Sequence, residues 1–205
     1  MSRVFLVFSV ALVALMAGAL FYAARMPVQE ADSAAGQSSI QDTTVTLDVV
    51  DYPEFSLPDL DGVDRHLSEW QGTNRILNFW ATWCGPCKRE IPVLKAFQDE
   101  HKFNGFQVIG IAVDFPEEVV HYAEAAEFNY PILIGEQDAM AIAESSGIEF
   151  VGLPFTMFVA SDGEYLNAYL GELHQEHLDK IVDIMTRLDR SEISKDDAKA
   201  ELGFL

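Results

Sequence analysis

The chain of 205 residues holds two cysteines, Cys84 and Cys87, with Gly85-Pro86 between them. Two thiols at that spacing, within one turn of a helix start, can close a small disulfide ring without disturbing the surrounding fold, so the pair can be oxidised and reduced in turn. The reactive species is the thiolate. Unpaired amides and the positive end of the helix dipole stabilise that anion at a helix N-terminus. They lower a cysteine pKa from about 8.5 into the range of about 3.5–7.5. Cys84 is therefore the expected nucleophile. Cys87, one turn further in, is expected to be less exposed and to resolve a mixed disulfide by attacking Cys84. Its proton needs an acceptor, and Glu90, three residues on and on the same helical face, could take it directly or through one water. Glu90 could equally be a solvated first-turn acid favoured by the dipole, and position alone leaves both readings open. A zinc site would need a second ligand pair, and no further cysteine is present to supply one.

The elements that must position these groups are legible on either side of them. Ile76-Leu77-Asn78-Phe79-Trp80 has the length and aromatic content of a strand, and Ile91, Leu94 and Phe97 recur at near-helical spacing in a helix that runs to about His101. Upstream, Asp61-Gly62 between Phe55-Ser56-Leu57 and Val63 to Leu67 predicts a hairpin, followed by a short turn at Ser68 to Gly72. Downstream, Phe106 to Val113 reads as a central parallel strand and Pro116 to Phe128 as a helix opened by proline. Tyr130 to Ile134 and Ala139 to Ser145 read as a strand and a short helix ended by Gly147. A second hairpin, Phe155 to Val159 and Tyr165 to Leu170, turns at Ser161-Asp162-Gly163. The helix from about His174 to Leu188 shows Leu178, Ile181, Ile184, Met185 and Leu188 on one face. This alternation predicts an α/β domain of three layers, α/β/α, with a mixed central sheet.

Phe79-Trp80-Ala81-Thr82-Trp83-Cys84-Gly85-Pro86-Cys87-Lys88, with Pro92 five residues after Cys87, resembles the active-site signature of the thioredoxin superfamily. Within it the chain is similar, over about residues 50–190, to the membrane-anchored thiol:disulfide interchange proteins of the TlpA and ResA type. The resemblance implies a thioredoxin-like fold with an extra strand and helix before Pro154. It implies a redox-active disulfide Cys84–Cys87 as the only prosthetic element, with no other cofactor. Thioredoxins proper carry a buried Asp where Asn78 stands, whereas the anchored family commonly pairs an Asn here with a Glu at position 90, which favours Glu90 as the base. Gly152-Leu153-Pro154-Phe155-Thr156 resembles the loop whose proline is cis and packs on the disulfide. By the same likeness, Leu153, Trp83, Gly85 and Pro86 are the expected substrate contacts. Partners implied are client proteins with disulfides, such as apocytochrome c or oxidase assembly factors, and a membrane thiol-transferring reductant.

Val4 to Ala24 is an apolar run whose roughly 21 residues, at about 1.5 Å each, span about 30 Å, the thickness of a bilayer core. Residues 1–25 thus read as a membrane anchor. A cleaved signal peptide competes, since Ala17-Gly18-Ala19 is a small-residue site. Residues 26–50, rich in Gln, Ser, Ala, Asp and Thr, read as a flexible linker. Residues 51–190 are expected to form the thioredoxin-like domain and residues 191–205 a charged, frayed tail whose Phe204 and Leu205 could dock. A membrane-anchored domain on the extracytoplasmic (periplasmic) side fits the redox motif, because protein disulfides persist there. The formal net charge of −20 at pH 7 argues against nucleic acid as a partner, whose phosphates would be repelled.

Three functions remain to be weighed. The leading one is a thiol:disulfide oxidoreductase that reduces client disulfides, with Gly85-Pro86 matching thioredoxin's own dipeptide. The alternative is a copper-binding metallochaperone that holds Cu(I) on the two thiolates. Copper-delivery relatives of this fold usually have a wider cysteine spacing and a distant histidine, and neither is evident. A peroxidase would need a lone cysteine after a Thr- and Pro-rich loop, which Trp83 to Cys87 does not offer. His174 and His177 have a spacing compatible with metal but no third ligand that can be placed beside them.

Overall fold

The computed structural model describes residues 54–147 and 150–205; the expected anchor (1–25) and linker (26–50) lie outside the described residues. The central strand is β3, Asn74–Trp80, buried along its whole length. It pairs in parallel with β4 (Phe106–Ala112) and antiparallel with β6 (Phe155–Val159). β4 pairs in parallel with β5 (Ile132–Ile134), and β6 antiparallel with β7 (Tyr165–Leu170), giving the mixed order β5-β4-β3-β6-β7. A separate hairpin of β1 (Ser56–Pro58) and β2 (Asp64–His66) precedes it. Its turn is organised by Asp59, whose carboxylate accepts from the amides of Asp61 and Val63 while Gly62 takes a positive φ of 74°.

Alternation along β3 divides the core between two faces. Ile76 and Trp80 point to one side, where they meet α1 (Gly85–His101), α2 (Pro116–Ala126) and α4 (Gln175–Asp189). Leu77 and Phe79 point to the other, which is covered by α3 (Glu136–Glu144) and by Leu57 and Leu67 at the first hairpin. The three-layer α/β/α expectation therefore holds, with β5 and α3 as the extra strand and helix. Asn78 shares the face of Ile76 and Trp80, so it projects towards α1. Opposite it in register stands Gly110 of β4, and an added Cβ there would sit 2.7 Å from Ile132 and 3.2 Å from the Trp80 indole nitrogen. Only glycine lets the Trp80 ring lie against the sheet, where it packs on Tyr122 and Phe128 with centroids 5.4 and 5.3 Å away.

Two expectations need correction. The helix after Pro116 stops at Ala126, because Glu127 takes a left-handed conformation (φ 47°) that closes the last turn, a role usually signalled by glycine. The tail is also not frayed: Lys195–Leu202 forms α5, capped by Ser194 and packed with Ala198 and Leu202 buried. Lys199 pairs with the buried Glu164 at 2.7 Å and Lys195 with Asp162 at 2.6 Å, while Arg187 of α4 holds Glu201 at 2.8 Å. With only Ala198 and Leu202 apolar on one face, the segment carries too little hydrophobic patterning to be read as helix. Phe204 remains exposed beyond it, and Leu205 packs against the core.

Candidate active site

β3 ends at Trp80 and the chain turns through Ala81, Thr82 and Trp83 into α1. That turn is fixed by Asp114, at the end of β4, whose Oδ2 accepts from the Thr82 amide at 2.8 Å and from the Thr82 hydroxyl at 2.6 Å. Its Oδ1 accepts from the Phe115 amide at 2.9 Å. Asp114 escapes notice in the sequence, because nothing local marks an acid thirty residues away as the anchor of this turn.

Cys84 is the N-cap of α1, in extended backbone, and its Sγ accepts from the Cys87 amide at 3.2 Å. The Cys87 amide is thus aimed at this sulfur, the arrangement that stabilises a thiolate once the bond is reduced. The two cysteines are disulfide-bonded, with Cα atoms 5.3 Å apart. Cys84 is 4% exposed and Cys87 fully buried, in the expected order. Around Cys84, Trp83 is 68% exposed, Gly85 is exposed and Pro86 half-buried. The Leu153–Pro154 peptide bond is cis, Pro154 is buried, and Leu153 is half-buried against both cores.

Glu90 lies on the buried face of α1 with no exposure at all. Asn78 Nδ2 donates to its Oε1 at 2.8 Å and the Leu173 amide to its Oε2 at 2.7 Å. The same Asn78 nitrogen donates to the Thr156 hydroxyl at 3.0 Å, across the β3–β6 register pair. Burial pushes the Glu90 pKa up to about 7. The two donated hydrogen bonds oppose the rise, and the nearby charge of Glu172 adds to it. A carboxyl at that value can exchange a proton near neutral pH, which a solvated first-turn acid would do only under acid conditions. The geometry thus excludes the solvated-face reading of Glu90. The Leu173 amide has no sequence signature, since any residue but proline supplies it.

Trp83 also walls a groove of about 260 Å³ with Val113, Phe115 and Met140, rimmed by Glu136 and Gln137. Phe115 is 63% exposed, an unusual position for a large aromatic. His174 and His177 stack with ring centroids 5.6 Å apart, and His177 Nδ1 accepts from the His174 amide, so the pair caps α4. Among the described residues no group of three or more His, Cys, Asp or Glu is placed to hold a metal ion.

The family model described as AhpC/TSA family matches residues 50–169. The thiol-disulfide oxidoreductase ResA of Geobacillus kaustophilus (strain HTA426) is 33% identical over 129 residues, 62% of this chain and 72% of that protein. The chain belongs to the AhpC/TSA family, as a ResA-like thiol-disulfide oxidoreductase of the thioredoxin superfamily. A second ResA, from Geobacillus thermodenitrificans (strain NG80-2), is 31% identical over 134 residues, covering 63% of this chain and 75% of the relative. Among solved structures, the thiol:disulfide interchange protein of Chlorobium tepidum TLS, a thioredoxin family protein, superposes with a TM-score of 0.58 at 26% identity. That match covers 65% of this chain and 93% of the other. StoA from Bacillus subtilis, at 23% identity and a TM-score of 0.50, shares the fold.

Proposed function

We propose that the protein reduces disulfides in extracytoplasmic client proteins, with Cys84 as the attacking thiolate. Its sulfur displaces one sulfur of the client disulfide, forming a mixed disulfide and releasing a client thiolate. Cys87 then passes its proton to Glu90 and attacks Cys84 Sγ. The Cys84–Cys87 bond closes and the second client sulfur leaves as a thiolate, so two electrons pass to the client. A membrane thiol-transferring reductant returns the disulfide to dithiol. Pro154 packs on the cysteine pair, Leu153 offers its backbone to the client strand, and Trp83, Gly85 and Pro86 contact the client surface. No cofactor beyond the redox-active disulfide takes part.

The observation that carries this reading is Glu90: a fully buried carboxyl on the helical face of Cys87, with a pKa near 7. The apolar run at Val4 to Ala24 supports attachment to a membrane by the N-terminus and a catalytic domain on the periplasmic side. Cytochrome c or oxidase maturation suits clients that must be reduced in that compartment.

Trapping in membranes with Cys87→Ala tests the assignment. Client proteins are expected to accumulate on Cys84 as mixed disulfides. An alkylation titration that finds an unreactive, ordinary thiol at Cys84 would overturn it. Direction is tested by the redox potential: a value above about −180 mV, the range of disulfide isomerases, would make the protein an oxidant.

A further inference from the structure

We propose that the tripeptide Gly171-Glu172-Leu173 is a positioning strap for the redox site, clasped by the Arg89–Glu172 ion pair, and that it sets where Glu90 and Pro154 stand. The inference rests on the reading of Glu90 as the proton acceptor. Three consecutive residues of the β7–α4 connection each reach a different member of the site. The Gly171 amide donates to the Pro154 carbonyl at 3.0 Å. The Glu172 carboxylate takes the Arg89 guanidinium in a fork, with Nε 3.0 and 3.1 Å from its two oxygens. The Leu173 amide donates to Glu90 at 2.7 Å.

Arg89 and Glu90 are neighbours on α1, as Glu172 and Leu173 are on the strap, so the contact has two points. One hydrogen bond would leave the strap free to pivot about it; two adjacent attachments fix both distance and rotation. Leu173 is fully buried and anchors the far end. At the near end Gly171 has φ +142°, and an added Cβ would meet the Tyr169 ring at 3.3 Å, so the bend requires glycine. Stability alone is a poor account of the clasp. Arg89 is 64% exposed on its side chain, and pairs of that kind contribute little to folding. Their value lies in the bidentate geometry. Charges that reach Glu90 come from Glu172 on the strap, whereas β3 presents the neutral Asn78. Tyr130, before β5, is held neutral by burial and feels Glu90 in turn.

The test is a charge-reversal cycle on the full chain: Arg89→Glu, Glu172→Arg and the double reversal. Two readouts are followed. The Leu173 amide resonance in the reduced and oxidised protein should titrate with a midpoint near pH 7, following the Glu90 carboxyl. Each single reversal should abolish that response, and the double should regain it. In parallel, Arg89→Glu should lower the rate of client reduction about tenfold and move its pH midpoint up by about one unit. Lost amide donation and a new negative charge next to Glu90 in the chain both disfavour the carboxylate. The double should recover the rate to within about twofold. Milder Arg89→Gln and Glu172→Gln variants, which keep the surface polar, should weaken the response in the same sense should a reversal fail to fold. An amide response retained in both singles, or not regained in the double, overturns the strap. If instead Glu90→Gln leaves the rate and its pH profile unchanged, the proton-acceptor reading fails, while the amide cycle still reports on the strap.

Discussion

Asn78 Nδ2 donates to Glu90 Oε1 at 2.8 Å, so the central strand holds the buried carboxyl directly from below the active-site helix. The bond favours the ionised form, burial disfavours it, and burial wins, leaving the group at about 7. Client reduction at saturating thiol should therefore rise with pH through about 7, as Glu90 becomes able to accept the Cys87 proton. Glu90→Gln should remove this limb and lower the rate by about 10²-fold, within the usual range for a positioned base. Stopped-flow turnover between pH 5 and 9 measures both.

The same shift has a consequence for stability. The folded pKa, about 7, lies above the ordinary 4.5, so between those values the folded state binds more protons than the unfolded one. Stability contributed by the protonated carboxyl is fully present below about 4.5 and falls as pH rises towards 7. The loss is at most about 3 kcal/mol for a shift of this size. Urea unfolding across that window should show the decline in the wild type and a flatter profile in Glu90→Gln.

Asp114 accepts two hydrogen bonds from Thr82 that tie the turn before Cys84 to the end of β4, and a third from the Phe115 amide. Asp114→Ala leaves the Thr82 amide and hydroxyl without this partner and should destabilise the fold by about 2 kcal/mol. It should also slow client reduction, because Thr82 and Trp83 lead directly into the nucleophile. Asp114→Asn, which keeps an acceptor, should lose less on both counts.

Clients larger than a small disulfide should depend on the groove beside Trp83. Trp83→Ala, Phe115→Ser and Met140→Ser should each lower kcat/KM for a protein client by about tenfold, the effect of removing one well-packed anchor. With a small aromatic disulfide as substrate the same variants should change little. Comparing the two substrates separates binding from chemistry.

Most of the fold was legible because β3, β4, α1 and α4 carry strong apolar periodicity, and because Asp-Gly and Pro punctuate the hairpins and α2. The cysteine pair was legible from spacing, whereas for Glu90 spacing left two readings open and only the family resemblance favoured the base. What escaped depends on contacts distant in sequence. Asp114 anchors a turn thirty residues earlier, and Leu173 contributes only its backbone amide. Arg89 and Glu172 become partners only once β7 returns beside α1. α5 escaped for a different reason: its stability comes from Glu164, a buried acid just before β7, and from one leucine, so its own residues read as a solvated run.

Leu202→Ala should reveal that dependence. Its side chain is 1% exposed, and its truncation should remove about 2–3 kcal/mol, seen as a lower urea midpoint. Deleting residues 191–205 should do more, since it also takes Lys195 and Lys199 from Glu164.

Where α5 lies bears on how this enzyme survives its own substrates. It packs beside β7, with the Asn167 side chain donating to the Lys199 carbonyl, while at the opposite margin β5 is three residues long and bridged to Asp59. Among the described residues, neither margin of the sheet offers an incoming polypeptide a long open rail on which to add itself as a sixth strand. A disulfide-bearing client brought to the cysteine pair thus meets a sheet whose margins are short or covered, which limits edge-to-edge association.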